Sequence, residues 1–307
     1  MQDVRHSEQT YGEQERLSAR PVELIAPVEQ TSPFIFASPH SGRRYPASFI
    51  AQTDIDLITL RRSEDSYVDL LVDMVPSLGA PLIKALFPRA YVDVNRSEKE
   101  LDPLIFNGQL PDDCDTRSSR VLAGFGVIPR LAANGQEIYR ARLPLREAMK
   151  RLQVYYAPYH RLLQDTIDET VRKFGCAIVI DCHSMPSQEI WRRPGKRLPE
   201  MDFVLGDRYG ASCAPGLLSL TQNLLMEAGY RVARNAPYAG GYVTQNYGQP
   251  ATGVHALQIE INRRLYLDEA RITRTAGFEP LRSMLRQILK ELMQIDPAAL
   301  QISQAAE

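Results

Sequence analysis

Cys176-Ala177-Ile178-Val179-Ile180 runs directly into Asp181-Cys182-His183, and the reading of this stretch decides the fold. An apolar, β-branched run bounded by polar and turn residues predicts a buried parallel strand. Open α/β sheets take their ligands beyond the carboxyl ends of such strands, which puts His183 where ligands bind. Side chains alternate along a strand, so Asp181 and His183 share a face and a carboxylate can lie beside or behind an imidazole. Metal sites use that arrangement.

Working outward, a helix is predicted from about Leu145 to Phe174, and a helix followed by a strand fits a parallel crossover. The first strong strand is Phe34-Ile35-Phe36-Ala37; Ser38-Pro39-His40-Ser41-Gly42 ends it, so His40 also stands at a strand end. Val68, Leu71, Val72 and Val75 recur at helical spacing and predict a helix whose first turn carries Ser63, Glu64 and Asp65. Those acids cap the helix or face a pocket. Strands follow at Pro81 to Leu86 and Tyr91 to Val94, then a glycine-, proline- and acid-rich stretch, residues 97 to about 140, reads as an irregular surface excursion of the kind that covers sites. Met201 to Gly206 and Ala256 to Ile261 supply further strands, and a helix near Leu217 to Ala228 stops at Gly229. Leu281, Met284, Leu285, Ile288, Leu289 and Leu292 form the apolar stripe of a closing helix that packs on the sheet. The predicted fold class is α/β: a mixed, mostly parallel central sheet flanked by helices on both faces. Residues 1–25 read as a polar N-terminal extension, 26–300 as a single catalytic α/β domain and 301–307 as a tail.

Composition narrows the function. The chain has 307 residues, 44% hydrophobic and 24% charged, with 36 basic against 37 acidic side chains. It is long enough to bury a large core, and it carries no net field that would draw nucleic acid or a membrane surface. A small molecule is the expected partner. No apolar stretch approaches the roughly 20 residues a membrane-spanning helix requires. The cysteines at 114, 176, 182 and 213 show no Cys-x-x-Cys spacing and the first residues lack an apolar signal core, so a cytoplasmic protein with reduced thiols is expected.

Of the five histidines, His40 and His183 follow apolar strands directly. Zinc enzymes combine two histidines with a carboxylate and leave a position open for water, whose pKa falls to about 7. Either histidine taken alone is more often a satisfied surface or core residue, and it is the pair at two strand ends that brings the metal reading level with that one. Asp93-Val94-Asn95-Arg96 runs off the predicted strand with Asp93 and Asn95 alternating onto one face and a guanidinium at the strand end. Arg96 can pair with a substrate carboxylate or polarise a carbonyl, Asn95 can orient the same substrate, and a plain polar strand terminus is the competing reading. In Leu257-Gln258-Ile259-Glu260-Ile261-Asn262 the polar residues share a face; Glu260 is either a general base or a solvent-facing glutamate on a half-exposed strand. The glycines of Pro237 to Gly248 permit close backbone approach, and Tyr242 or Thr244 can hydrogen-bond a substrate, unless the segment is only a turn. His160 reads as a packed or hydrogen-bonded residue and His255 as support near a strand start. No Gly-x-Ser-x-Gly elbow, P-loop or Gly-x-Gly-x-x-Gly is present, and Cys182 and His183 point to opposite faces, which disfavours a Cys-His nucleophile.

Together Ser38-Pro39-His40-Ser41-Gly42, Ser63 to Asp69, Asp93 to Arg96, Asp181-Cys182-His183-Ser184, Gly240-Gly241-Tyr242 and Gln258 to Arg263 resemble the N-formylglutamate amidohydrolase family over about residues 30 to 270. The resemblance implies a zinc carboxypeptidase- and aspartoacylase-like fold and hydrolysis of the formyl amide of N-formyl-L-glutamate to formate and glutamate, a late step of histidine degradation. It implies Zn2+, or another divalent ion, held by His40, Asp65 and His183, with Glu64 the alternative to Asp65. It casts Glu260 and Arg96 as catalytic, and Asn95, Arg96, Gly241, Tyr242 and Thr244 as substrate-binding. The pattern departs from the His-x-x-Glu of carboxypeptidases, because Arg43 stands third after His40 and the acid must come from elsewhere. A metallo-deacylase or carboxypeptidase for another N-acyl amino acid, and a non-catalytic binding module on the same scaffold, are the alternative functions.

Overall fold

The stretch around His183 is the nine-residue strand Ala177–Met185, buried along its whole length. It belongs to a computed structural model that describes residues 20–187, 200–296 and 300. Most of the expected N-terminal extension and the tail 301–307 lie outside the described residues. In chain order the strands are β1 (Val22–Ile25), β2 (Phe34–Ser38), β3 (Leu82–Ala85), β4 (Phe106–Asn107), β5 (Leu143–Pro144), β6 (Ala177–Met185), β7 (Phe203–Gly206), β8 (Val232–Arg234), β9 (Val254–Asn262), β10 (Leu267–Asp268) and β11 (Thr273–Arg274). Seven of them make one sheet in the order β1-β3-β2-β6-β9-β7-β8. β2, β6 and β9 run parallel, β7 is antiparallel to β9, and β8 is parallel to β7. With its flanking helices this is the expected mixed, mostly parallel α/β architecture. Val22–Ile25, read as the end of the extension, form the edge strand β1.

The described residues fall into two compact units, one of residues 20–24, 39–66 and 83–164, the other of residues 25–38, 67–82, 165–187, 200–296 and 300. In the second unit the period of two along the strands separates two environments. Phe34, Phe36, Ile178, Ile180, Cys182, Leu257, Ile259 and Ile261 join one apolar cluster with Leu217, Leu225, Leu281, Leu285, Ile288 and Leu292. The last six come from the helices Pro215–Glu227 and Phe278–Leu292. The first helix opens on Pro215, where no intrahelical N–H is needed, and closes before Gly229 at φ 89°. Burying each such side chain contributes about 1.5–3 kcal/mol. The alternate positions carry Asp181, His183, Gln258, Glu260 and Asn262, all buried.

The first unit departs from the sequence reading in three places. Tyr91 to Val94 is not a strand. It is buried, but the Asp93 N–H donates to the Val127 carbonyl and the Asn95 N–H to Asp93 Oδ1, so an Asx-type turn takes the groups a ladder would use. Residues 97–140 are not a bare excursion: Val121, Val127, Ile128, Ala132 and Ile138 are buried, and a short helix, Ser119–Leu122, is capped by Ser118. Ser63, Glu64 and Asp65 lie in a turn after the helix Leu57–Arg61, not in the first turn of the next helix. Tyr67, at φ 67°, interrupts the chain before Val68–Leu71, and Pro76 restarts it as the 3-10 turn Val75–Leu78. The long helix is as expected, but it runs as Leu145–Arg151 and Ala157–Phe174 joined by a π-helical turn, Leu152–Tyr156. Among the described residues no helix is long and apolar enough to cross a membrane.

Candidate active site

The β6–β9 register sets Asp181 opposite Gln258 and His183 opposite Glu260. Neighbouring strands are about 4.8 Å apart, so His183 and Glu260 are adjacent on the polar face. Asp181 Oδ2 lies 2.8 Å from His183 Nε2, and Gln258 Nε2 donates to Glu260 Oε1 at 2.9 Å. Cys182 points into the apolar cluster, where burial pushes its thiol far above the ordinary range.

His40 follows β2 by two residues. Its Nε2 donates to Asp93 Oδ1 at 2.7 Å, its Nδ1 lies 3.3 Å from Asp65 Oδ2, and its carbonyl accepts from the Asp65 N–H at 2.9 Å. The close turn His40-Ser41-Gly42 is held by Ser41 Oγ on the Asp65 carbonyl at 2.9 Å. It needs glycine, because a Cβ on Gly42 would stand 2.1 Å from the Phe87 carbonyl oxygen. Glu64 is engaged differently: its carboxylate accepts from Tyr45, Arg61 and Ser66.

His40, Asp65 and His183 each offer one ligand atom, these atoms all lie within 4.8 Å of one another, and all three residues are buried. The donor set suits a divalent ion of intermediate softness such as zinc. Its surroundings fit too. Asp93 and Asp181 each lie at the Nε2 edge of an imidazole, the place a carboxylate takes behind a ligating histidine.

Asp93 does more than hold His40. Its second oxygen accepts from Arg89 at 2.7 Å and lies 3.9 Å from Arg96 Nε. Burial alone would raise this carboxyl, but Arg89, His40 and Arg96 outweigh it and hold it well below the usual carboxylate range. Arg96 donates from Nε to the Phe125 carbonyl and from Nη1 to the Asn95 carbonyl. Burial pulls its pKa down while Asp93 opposes the shift, and a guanidinium with that starting value stays charged.

Gly241 precedes the helix Tyr242–Tyr247 as its N-terminal cap, and Thr244 Oγ1 donates back to the Gly241 carbonyl. This segment follows β8, and Gly206 at the end of β7 packs against Ala239 and Gly240 opposite Gln258, two residues before Glu260 in β9. His255 Nδ1 accepts from the Ala214 N–H at 3.2 Å, and burial lowers its pKa. Sequence reasoning missed the reach of Asp93 to His40 and the contribution of Arg89. Only the i, i+4 spacing of Arg89 and Asp93 signals the latter, and nothing local signals the former.

Comparison with known proteins gives the class of enzyme. The chain is 30% identical over 269 residues to the N-formylglutamate deformylase of Pseudomonas aeruginosa, covering 85% of this chain and 92% of that protein. A crystal structure of N-formylglutamate amidohydrolase from Ralstonia eutropha JMP134 superposes with a TM-score of 0.83 at 35% identity, covering 89% of this chain and 97% of the other. A gene product of Agrobacterium tumefaciens shares the fold, with a TM-score of 0.66 at 15% identity over 91% and 95% of the two chains. The protein is a hydrolase acting on an amide. The N-formylglutamate amidohydrolase profile matches residues 32–267, and the chain belongs to that family.

Proposed function

We propose that the enzyme hydrolyses the formyl amide of N-formyl-L-glutamate, releasing formate and L-glutamate, with a divalent ion held by His40, Asp65 and His183. One observation carries the reading: Glu260 stands directly opposite His183, itself one of three buried residues whose ligand atoms lie within 4.8 Å of one another. When bound, the ion, zinc by the character of its donors, would polarise the amide carbonyl and acidify the attacking water. The protein's own groups do the rest. Asp93 and Asp181 keep the protons of His40 and His183 on Nε2. Glu260, buried and oriented by Gln258, accepts the proton of the attacking water and returns it to the leaving nitrogen. Arg96 pairs with a substrate carboxylate, and Asn95, Gly241, Tyr242 and Thr244 contribute to the substrate's seat. A dianionic acylated amino acid suits a half-buried guanidinium, because its charges must be paired once they leave water. The test is formate release from a panel of N-formyl, N-acetyl and peptide substrates before and after chelation. N-formyl-L-glutamate should lead the panel with ion-dependent turnover; preference for an N-acetyl or peptide substrate, or full turnover in metal-free enzyme, would sink the reading.

A further inference from the structure

Asn95 and Arg96 lie in a turn, so no sheet ladder sets their peptide planes. Two side chains on the long helix supply what the ladder does not. His160 Nε2 donates to the Val94 carbonyl at 3.0 Å and Tyr156 Oη to the Arg96 carbonyl at 2.9 Å. The two carbonyls flank Asn95, and the two donors are four residues apart, the spacing that stacks side chains on one helix face. Their rings touch, with centroids 4.2 Å apart. Tyr156 ends the π-helical turn Leu152–Tyr156, and such turns recur at functional positions in helices. On the far side the Phe125 carbonyl holds Arg96 Nε, and the Asn95 N–H is tied to Asp93. The Arg96 guanidinium is thereby fixed at Nε and Nη1.

We propose that Tyr156 and His160 are positioning residues that clamp the Val94 and Arg96 peptides and so aim the Arg96 guanidinium at the substrate carboxylate. This rests on the reading of Arg96 given above. Neither residue touches substrate; each acts through the backbone of the turn. Loss of either clamp lets the guanidinium swing away from the anion it binds, which weakens binding of substrate and transition state alike and raises KM without lowering kcat.

The experiment compares Tyr156→Phe, His160→Leu, His160→Gln and Arg96→Lys, using N-formyl-L-glutamate and the metal-loaded enzyme. Tyr156→Phe removes one oxygen and His160→Leu the donor, and each should raise KM about fivefold, the size of one hydrogen bond, with kcat within about twofold. His160→Gln keeps an N–H donor and should restore most of KM. Adding Tyr156→Phe to Arg96→Lys should change KM by less than about twofold, since residues acting through one another are not additive. Native KM in Tyr156→Phe and His160→Leu, while Arg96→Lys raises it, would overturn the clamp and leave the role of Arg96 standing. An equal effect of Tyr156→Phe with or without Arg96→Lys would also overturn the clamp. A native KM in Arg96→Lys would overturn both.

Discussion

Asp93 Oδ1 accepts from His40 Nε2 at 2.7 Å although 53 residues separate them in sequence. The same carboxylate receives Arg89 and the Asn95 N–H. One buried anion therefore orients a proposed metal ligand and braces the turn that carries Asn95 and Arg96.

Asp93→Asn keeps the shape and removes the charge that holds the His40 proton on Nε2. Metal affinity should fall by about 10- to 100-fold, the usual cost of losing a carboxylate behind a ligating histidine. Competition with a chromophoric chelator measures it; native affinity would show that His40 does not depend on Asp93.

Glu260→Gln retains the size of the side chain and abolishes the base. The expected loss is in kcat, on the order of 10²- to 10⁴-fold, with metal content preserved. A formate-release assay beside metal analysis separates this from damage to the ion site.

Removing the ion should abolish turnover and lower thermal stability, because a ligand bound only by the native state stabilises it by mass action. Chelator-treated protein should regain both activity and Tm when Zn2+ is returned, which calorimetry and assay read independently. An unchanged Tm on return of the ion would show that the native state does not bind it in preference to the unfolded chain, against the prediction.

His255 has its pKa lowered by burial, and its Nδ1 accepts from the Ala214 N–H, so it folds as the neutral ring. The unfolded chain binds the proton more readily. The stability His255 contributes is therefore complete above its unfolded value of about 6.5 and is lost as pH falls below it. Between about pH 7.5 and 5.5 the Tm of the wild type should drop more steeply than that of His255→Gln. Parallel profiles would contradict this.

Gly42→Ala would drive a Cβ to 2.1 Å from the Phe87 carbonyl oxygen, a backbone atom with little room to yield. Destabilisation of about 3 kcal/mol or more is expected, at the upper end for overpacking, and chemical denaturation measures it. The damage lies two residues from His40, so metal retention should fall with it.

What could be read without the structure was local. The alternation along Asp181-Cys182-His183 and Gln258 to Asn262 is a property of the extended backbone, and it is present in β6 and β9 with the polar set on one face and Cys182 in the apolar cluster. The same period misled at Tyr91 to Val94, whose composition is that of a strand but whose N–H groups are taken by Val127 and Asp93. The helix predicted across Val68 to Val75 failed for a related reason. Its apolar spacing is genuine and buries Val68, Leu71, Val72 and Val75. A left-handed Tyr67 and Pro76 nevertheless divide the segment.

By itself the sequence determined the α/β class, the strand that ends just before His40, the strand that carries His183, and the face that His183 shares with Asp181, since periodicity and turn chemistry act over a few residues. Tertiary structure alone placed Asp65 Oδ2 3.3 Å from His40 Nδ1 and brought the Tyr45 hydroxyl to Glu64. It alone brought Asp93 to His40, and Tyr156 and His160 to the carbonyls around Asn95. Those pairings depend on hydrogen bonds between segments far apart in the chain, and no local pattern encodes which distant carboxylate or carbonyl a buried donor will meet.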